Sequence, residues 1–443
     1  MASPAPSMGA RPRLLRWGWA RSLYLGMAPF LVAVTVLGRA AQNIGQTTYP
    51  LEGRALLGVG NGALGIMTAV GGLAGVAVAA TVGARVTPTN ALRMLAVGQA
   101  MVLTAFVALA VPGGGTPCLW LGAVLVWAGG GLVFPATMTA VGTGGAGNPS
   151  RAMAVYAVGL AIGLTGGPLL EAGVLRLLSE SLRDTFAALL PLPVAATGLS
   201  VLGAVRRDSG PPQLPVDHGE MALLMADGSA GELLPTGGGR KRLRPERRPA
   251  LLRLPPYRLA LAVLLTYEGP YAALVAFGGL LATRADGASS SGAELGFAAF
   301  YTVSLLVRLL VVRLSPIRHL RTALAASLLA TAGGLAVLGT AHQLGVLLVG
   351  MALLGAPHGL TFPLAGSILA EHVDHDTLGR ANARLMASTE SAAVVMPLLC
   401  GWLATAIGYR HTFLVVELPV AVFGALLLVE LAAVPRWAVQ PRR

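Results

Sequence analysis

The sequence predicts an all-α polytopic membrane protein, with twelve transmembrane helices arranged as two parallel six-helix bundles. Three observations predict it. The first is composition: 55% of the 443 residues are apolar and 12% are charged, half the ~25% charge of soluble domains, and the mean hydropathy is +0.70. The second is a series of apolar runs, each long enough to cross a hydrocarbon core, which needs about 20 helical residues. The third is an internal repeat.

The runs centre near residues 35, 70, 101, 129, 165 and 195, and again near 270, 305, 330, 357, 394 and 423. They are continuous in Leu, Ala, Val and Gly. A membrane barrel would show alternating segments of about ten residues instead. Residues 1–22 carry Arg11, Arg13, Arg16 and Arg21 with no cleavage-type segment, so they read as a retained cytoplasmic segment. Residues 23–205 form the first bundle, 206–256 a cytoplasmic linker, 257–436 the second bundle and 437–443 a cytoplasmic tail. With both termini inside, cytoplasmic segments hold 25 of the 32 Lys and Arg, as the positive-inside rule expects. The net charge of +13 then needs no nucleic-acid partner. Residues 237–248, "GGGRKRLRPERR", read either as an anchor on anionic lipid or as a solvated linker. Cys118 and Cys400 have neither disulfide nor metal-ligand spacing.

The repeat has one register. "RVTPTNALR" at 85–93 returns as "RLSPIRHLR" at 313–321, and "GLVFP" at 131–135 returns as "GLTFP" at 359–363. "RA" at 151 and "PLL" at 168 return at 380 and 397. All are displaced by 228 or 229 residues, which indicates parallel halves related by an axis along the membrane normal.

Twelve helices in two parallel repeats with a basic central loop resemble the major facilitator superfamily of transporters. The resemblance covers residues 22–436 and implies that superfamily's fold, with a central cavity bordered by helices one, four, five, seven, eight, ten and eleven. Its most specific mark is the loop after the second helix and its echo after the eighth. The basic Arg85, Arg93, Arg313 and Arg321 are present there, with Pro88 and Pro316 as helix breakers, while Gly83 and Ala84 stand where an acid is expected. These six residues are gating candidates; the plainer reading is two topogenic turns. "GLTGGPLLEAG" at 163–173 resembles the antiporter pattern of drug–proton exchangers through Gly163, Gly167 and Pro168, but ends in Glu171 and Ala172 instead of paired glycines. The same small residues also permit close helix packing.

Charges inside apolar spans cost at least ~2.5 kcal/mol each on insertion scales and are functional candidates. In "LLTYEGPY", Glu268 stands ten residues beyond Arg258, or about 15 Å up a helix, with Pro270 supplying a bend. Glu390 lies at similar depth, ten residues beyond Arg380. Glu268, Glu390 and Glu171 are read as proton carriers. Arg39, Gln42, Asn43 and Gln46 stripe the first helix; with Tyr267, Tyr271, Arg308 and His358 they are read as a solute site. The alternative is neutralised structural pairs, Arg39 with Glu171 or Arg308 with Glu390. Glu417 lies apart, near the external end of the last helix.

"GVGNGA" at 58–63 imitates a dinucleotide fingerprint without its strand, and "EHVDHD" at 371–376 sits at a helix end as a capping turn. No catalytic motif, metal site or cofactor is expected. The expectation is a monomeric plasma-membrane transporter with membrane lipids, protons and a small-molecule solute as partners. Proton-coupled efflux of an amphipathic compound is the leading reading. Proton-coupled uptake of a small anionic metabolite through Arg39 and Arg308 is the alternative, and a transporter-like sensor that no longer cycles is a third.

Overall fold

The computed structural model describes residues 29–144, 149–208, 250–313, 320–373 and 375–433. The expected segments 1–22 and 437–443, and most of the linker, lie outside them. The first half comprises α1 (Pro29–Ala55), α2 (Asn61–Thr81), α3 (Ala91–Ala110), α4 (Gly115–Gly144), α5 (Pro149–Leu177) and α6, in two pieces (Leu182–Leu189 and Pro191–Asp208). The second comprises α7 (Pro255–Leu280), α8 (Ser290–Arg313), α9 (Leu320–Thr340), α10 (Leu344–His372), α11 (His375–Ile407) and α12, also in two pieces (Tyr409–Val415 and Glu417–Ala433). Successive helices run up and down, so α1, α6, α7 and α12 all have an end on one face. That side is called the terminal face below.

Among the described residues, eleven spans are long and apolar enough to cross a membrane, and α1 is not one of them. Its sequence explains why. Arg39, Gln42, Asn43, Gln46, Thr47, Thr48 and Glu52 dilute its apolar character, and the last six are buried inside the protein. The expected stripe is real, and it widens toward the face opposite the termini. The expected unbroken runs also fail at α6 and α12. Pro191 lacks the amide hydrogen that would continue the first piece of α6, and α6 begins where the Asp184 amide donates to Ser181 Oγ at 3.4 Å.

The repeat has a packing meaning. A Cβ on Gly131 of α4 would fall 2.2 Å from the backbone oxygen of Gly75 on α2, and one on Gly359 of α10 would fall 2.5 Å from that of Ser304 on α8. Both glycines open the "GL(V/T)FP" repeat, and in each half the fourth helix uses its glycine to touch the second. Backbone approach of this kind, rather than the hydrophobic effect, holds helices together in lipid.

The halves meet through α2 against α11, α5 against α8 and α1 against α7. Among the described residues, every hydrogen bond between them lies at mid-depth or nearer the face opposite the termini. Asn61 accepts from Tyr409 at 2.6 Å. The Arg54 carbonyl accepts from Arg284 at 3.2 Å. Glu180 accepts from the Ser291 amide at 2.7 Å and its hydroxyl at 2.5 Å. A Cβ on Gly65 of α2 would meet the Pro397 oxygen of α11 at 2.4 Å. The face opposite the termini is thus sealed.

Candidate functional site

The intramembrane charges converge at mid-depth. On α1, Arg39 Nη1 donates to Gln42 Oε1 at 2.8 Å. Gln42 itself lies over Gly130 of α4, where a Cβ would come 1.8 Å from its Nε2. Gln42 therefore braces the guanidinium from within the first half, and Arg39 Nε stays buried without a partner. One turn on, Asn43 Oδ1 accepts from Tyr301 of α8 at 2.9 Å, joining the two halves. Gln46 is buried on the same helix.

From the second half, α7 brings Tyr267, Glu268 and Tyr271. Pro270 lies between the last two, inside the helix. The Tyr267 hydroxyl is buried and unpartnered, while the Tyr271 hydroxyl lies 3.4 Å from that of Tyr301. His358 of α10 is enclosed by rings. Tyr271 stacks on it with centroids 4.6 Å apart, and Phe300, Tyr267 and Tyr301 stand at 5.1, 5.7 and 5.8 Å. Arg308 of α8 reaches the His358 carbonyl at 3.5 Å, and its Nε is buried without a partner.

Glu268 is half-buried; Glu390 of α11 is exposed to the space between the halves and lies within electrostatic reach of both Glu268 and Arg39. Arg39, Glu268, Arg308 and Glu390 therefore share one centre. Among the described residues, ion pairs join Glu52 to Arg183 at 3.7 Å, Arg258 to Glu430 at 2.6 Å and Asp286 to Arg410 at 2.7 Å. None joins two of these four central groups. The neutralised pairs expected from sequence, Arg39 with Glu171 and Arg308 with Glu390, do not form.

Glu171 lies elsewhere. It is fully buried and accepts a hydrogen bond from Thr48, nine residues beyond Arg39 and so about 13 Å along α1. Its acidic neighbour is Glu294 of α8, which sequence reasoning did not single out. Tyr301 and Phe300 were also missed. Gly163 and Gly167 of α5 lie against α1, where a Cβ would come 2.5 Å from the Val36 oxygen or 3.0 Å from that of Ala40. Pro168, buried within α5, follows. Arg85, Pro88 and Arg93 lie exposed on the terminal face. Their turn is closed by Asn90, which accepts from the Thr87 amide at 2.7 Å and donates to the Arg85 carbonyl at 3.0 Å. Arg321 is likewise exposed. Pro316 and the side chain of Arg313 lie outside the described residues.

Residues 259–443 match the family model described as Major Facilitator Superfamily. Solved structures extend the likeness across both halves. This is a multi-pass membrane protein of the major facilitator type. A bacterial homologue of the human lysosomal transporter Spinster, inward-facing and unoccupied, aligns with a TM-score of 0.61 at 13% identity, over 91% of this chain and 95% of that one. The peptide transporter POT in complex with sulfate aligns with 0.64 at 16% identity, over 93% and 95%. The nucleoside transporter NupG aligns with 0.62 at 12%, over 91% and 99%. At such identities the likeness is one of fold. Among curated proteins none matches the sequence. The family match and its transporter neighbours point to transport rather than enzymatic catalysis, and the major facilitator fold sets the four central charges between its halves.

Proposed function

We propose that the protein is a secondary active transporter that carries a small organic anion across the membrane by alternating access, driven by protons. The observation that carries this reading is the pair Arg39 and Arg308. They come from opposite halves, point into one centre, and have no carboxylate within ion-pair distance. Leaving two cations unneutralised at mid-depth is costly. A solute carboxylate or phosphate that pairs with both recovers that cost and ties the halves to one ligand. Tyr267, Tyr271 and Phe300 supply flat apolar surface beside the charges, so a planar or aromatic body suits the anion. Peptide, nucleoside and sulfate appear in the names of similar structures; peptides and sulfate carry the negative charge this reading requires.

Protons are the coupling ion in this reading because Glu268 and Glu390 sit beside the site without a basic partner and can gain or lose a proton as the solute arrives. The basic bias of the terminal-face segments makes that face cytoplasmic, in the plasma membrane, with the sealed face outside. The protein acts as a monomer. Efflux of an amphipathic cargo is the second reading, supported by the Gly163–Gly167–Pro168 pattern and the aromatic lining.

Purified protein in vesicles with an imposed pH gradient tests the proposal against a panel of labelled organic anions. Gradient-driven flux of one of them is expected, and Glu268→Gln is expected to abolish the coupling while binding persists. R39A and R308A are each expected to weaken binding at least ~10-fold, or about 1.4 kcal/mol. Wild-type affinity in both arginine variants would remove the anion reading, and flux outward from cells would decide for the second.

A further inference from the structure

Away from the central site, one seam between the halves holds two carboxyls that the solute reading does not use. Glu171 of α5 and Glu294 of α8 are both 0% exposed. Thr48 donates to Glu171 Oε1. Thr47, the preceding residue on α1, lies 3.4 Å from Glu294 Oε2. The remaining oxygens, Glu171 Oε2 and Glu294 Oε1, are buried with no donor supplied by any other residue. What each has is the other carboxyl, within hydrogen-bonding reach. Two carboxylates cannot bond to each other, since both are acceptors. One proton changes that, because a carboxylic acid donates to a carboxylate in a short, charge-assisted bond.

No cation takes the proton's place. Glu52, one turn beyond Thr48 on α1, is held by Arg183 of α6, and Arg39 of α1 is braced by Gln42. On α5 itself stand Arg176, which is exposed, and Glu180, which caps α8. Tyr301 and Arg308 of α8, Tyr271 of α7 and His358 of α10 belong to the central cluster. The described part of α4 carries no acidic or basic side chain.

We propose that Glu171 and Glu294 are a shared-proton latch: one proton held between them closes the face opposite the termini, and its release opens that face. The proposal rests on the alternating-access reading and adds to it the site where the driving proton acts. The step balances simply. The acid O–H bond breaks, the proton leaves to water on the opening face, and two carboxylates about one hydrogen bond apart repel each other and draw water between α5 and α8. Reprotonation restores the bond. The sign follows: the closed state binds one proton more than the open one, so raising the pH favours opening, by tenfold in the open-to-closed ratio per pH unit.

Spin labels on Leu56→Cys, at the end of α1, and Ala406→Cys, at the end of α11, read this distance by pulsed electron resonance. The protein is held in lipid nanodiscs with Cys118 and Cys400 replaced by Ala, between about pH 5 and about pH 9. The expected result is a long-distance population that grows with the slope of one proton. E171Q/E294Q is expected to stay closed throughout, because paired amides bond to each other and have no proton to lose. A distance distribution indifferent to pH, or an unaltered slope in E171Q/E294Q, overturns the latch. Should the double variant not fold, infrared difference spectra of the wild type decide, since a buried protonated carboxyl must lose its C=O band as the labels separate. Its absence overturns the proposal equally. No solute enters either measurement, so the latch and the anion site stand or fall separately.

Discussion

Arg39 and Arg308 differ in how they are held, and the difference predicts how each tolerates change. Arg39 is fixed through its Nη1 by Gln42, whereas Arg308 has a 3.5 Å contact with a carbonyl oxygen. A lysine has one charged centre and no planar fork. R308K is therefore expected to keep the charge and lose bidentate contact, raising the Kd for the transported anion about tenfold, close to R308A. Q42A is expected to weaken binding less, since it frees the guanidinium without removing it. Calorimetric titration of purified variants checks the order. At this scale much was legible in the sequence, because a lone Glu268, Arg308 or Glu390 in an apolar run stands out on cost alone. Glu294 and Tyr301 were legible too, but by spacing. Glu294, Tyr301 and Arg308 recur every seven residues and so share one face of α8. The partnership of Glu171 with Glu294 was not legible, since it joins helices 123 residues apart and depends on how the halves dock.

Among elements, glycine placement decides which helices touch. Gly131 and Gly359 occupy equivalent places in the two halves and admit the backbones of α2 and α8. The neighbour in each case is main chain, which cannot rotate away. G131L and G359L are each expected to lower stability by roughly 1–3 kcal/mol, the usual cost of overpacking, visible as a lower midpoint in thermal melts followed by tryptophan fluorescence. G166L, where the space is open, is the matched control and is expected to melt with the wild type. The repeated "GLVFP" and "GLTFP" announced an equivalence, but the sequence could not say which neighbour each glycine met. The breaks in α6 and α12 escaped prediction for a related reason: hydropathy stays high across Pro191 and Val416, so apolar content hides a fault in the hydrogen-bond ladder.

The molecule as a whole is caught with one face sealed, and this could not be read from residues 1–443 at all. Each half is specified by its own pattern, whereas the tilt between them is a balance of weak contacts that a ligand or a proton can tip. If transport requires the seal to break, fixing it must stop transport. Bridging Asn61→Cys to Tyr409→Cys with a short, reducible thiol cross-linker is expected to abolish flux, and reduction to restore it. Flux that survives complete cross-linking would separate transport from this seam. The polarity of α1 also bears on biogenesis. Too polar to enter lipid alone, it must be retained at the translocon until α2 to α5 arrive to shelter Gln42, Asn43 and Glu52. A nascent chain ending after α1 is thus expected to slip through unanchored, and the protein's first span is the one it cannot secure first.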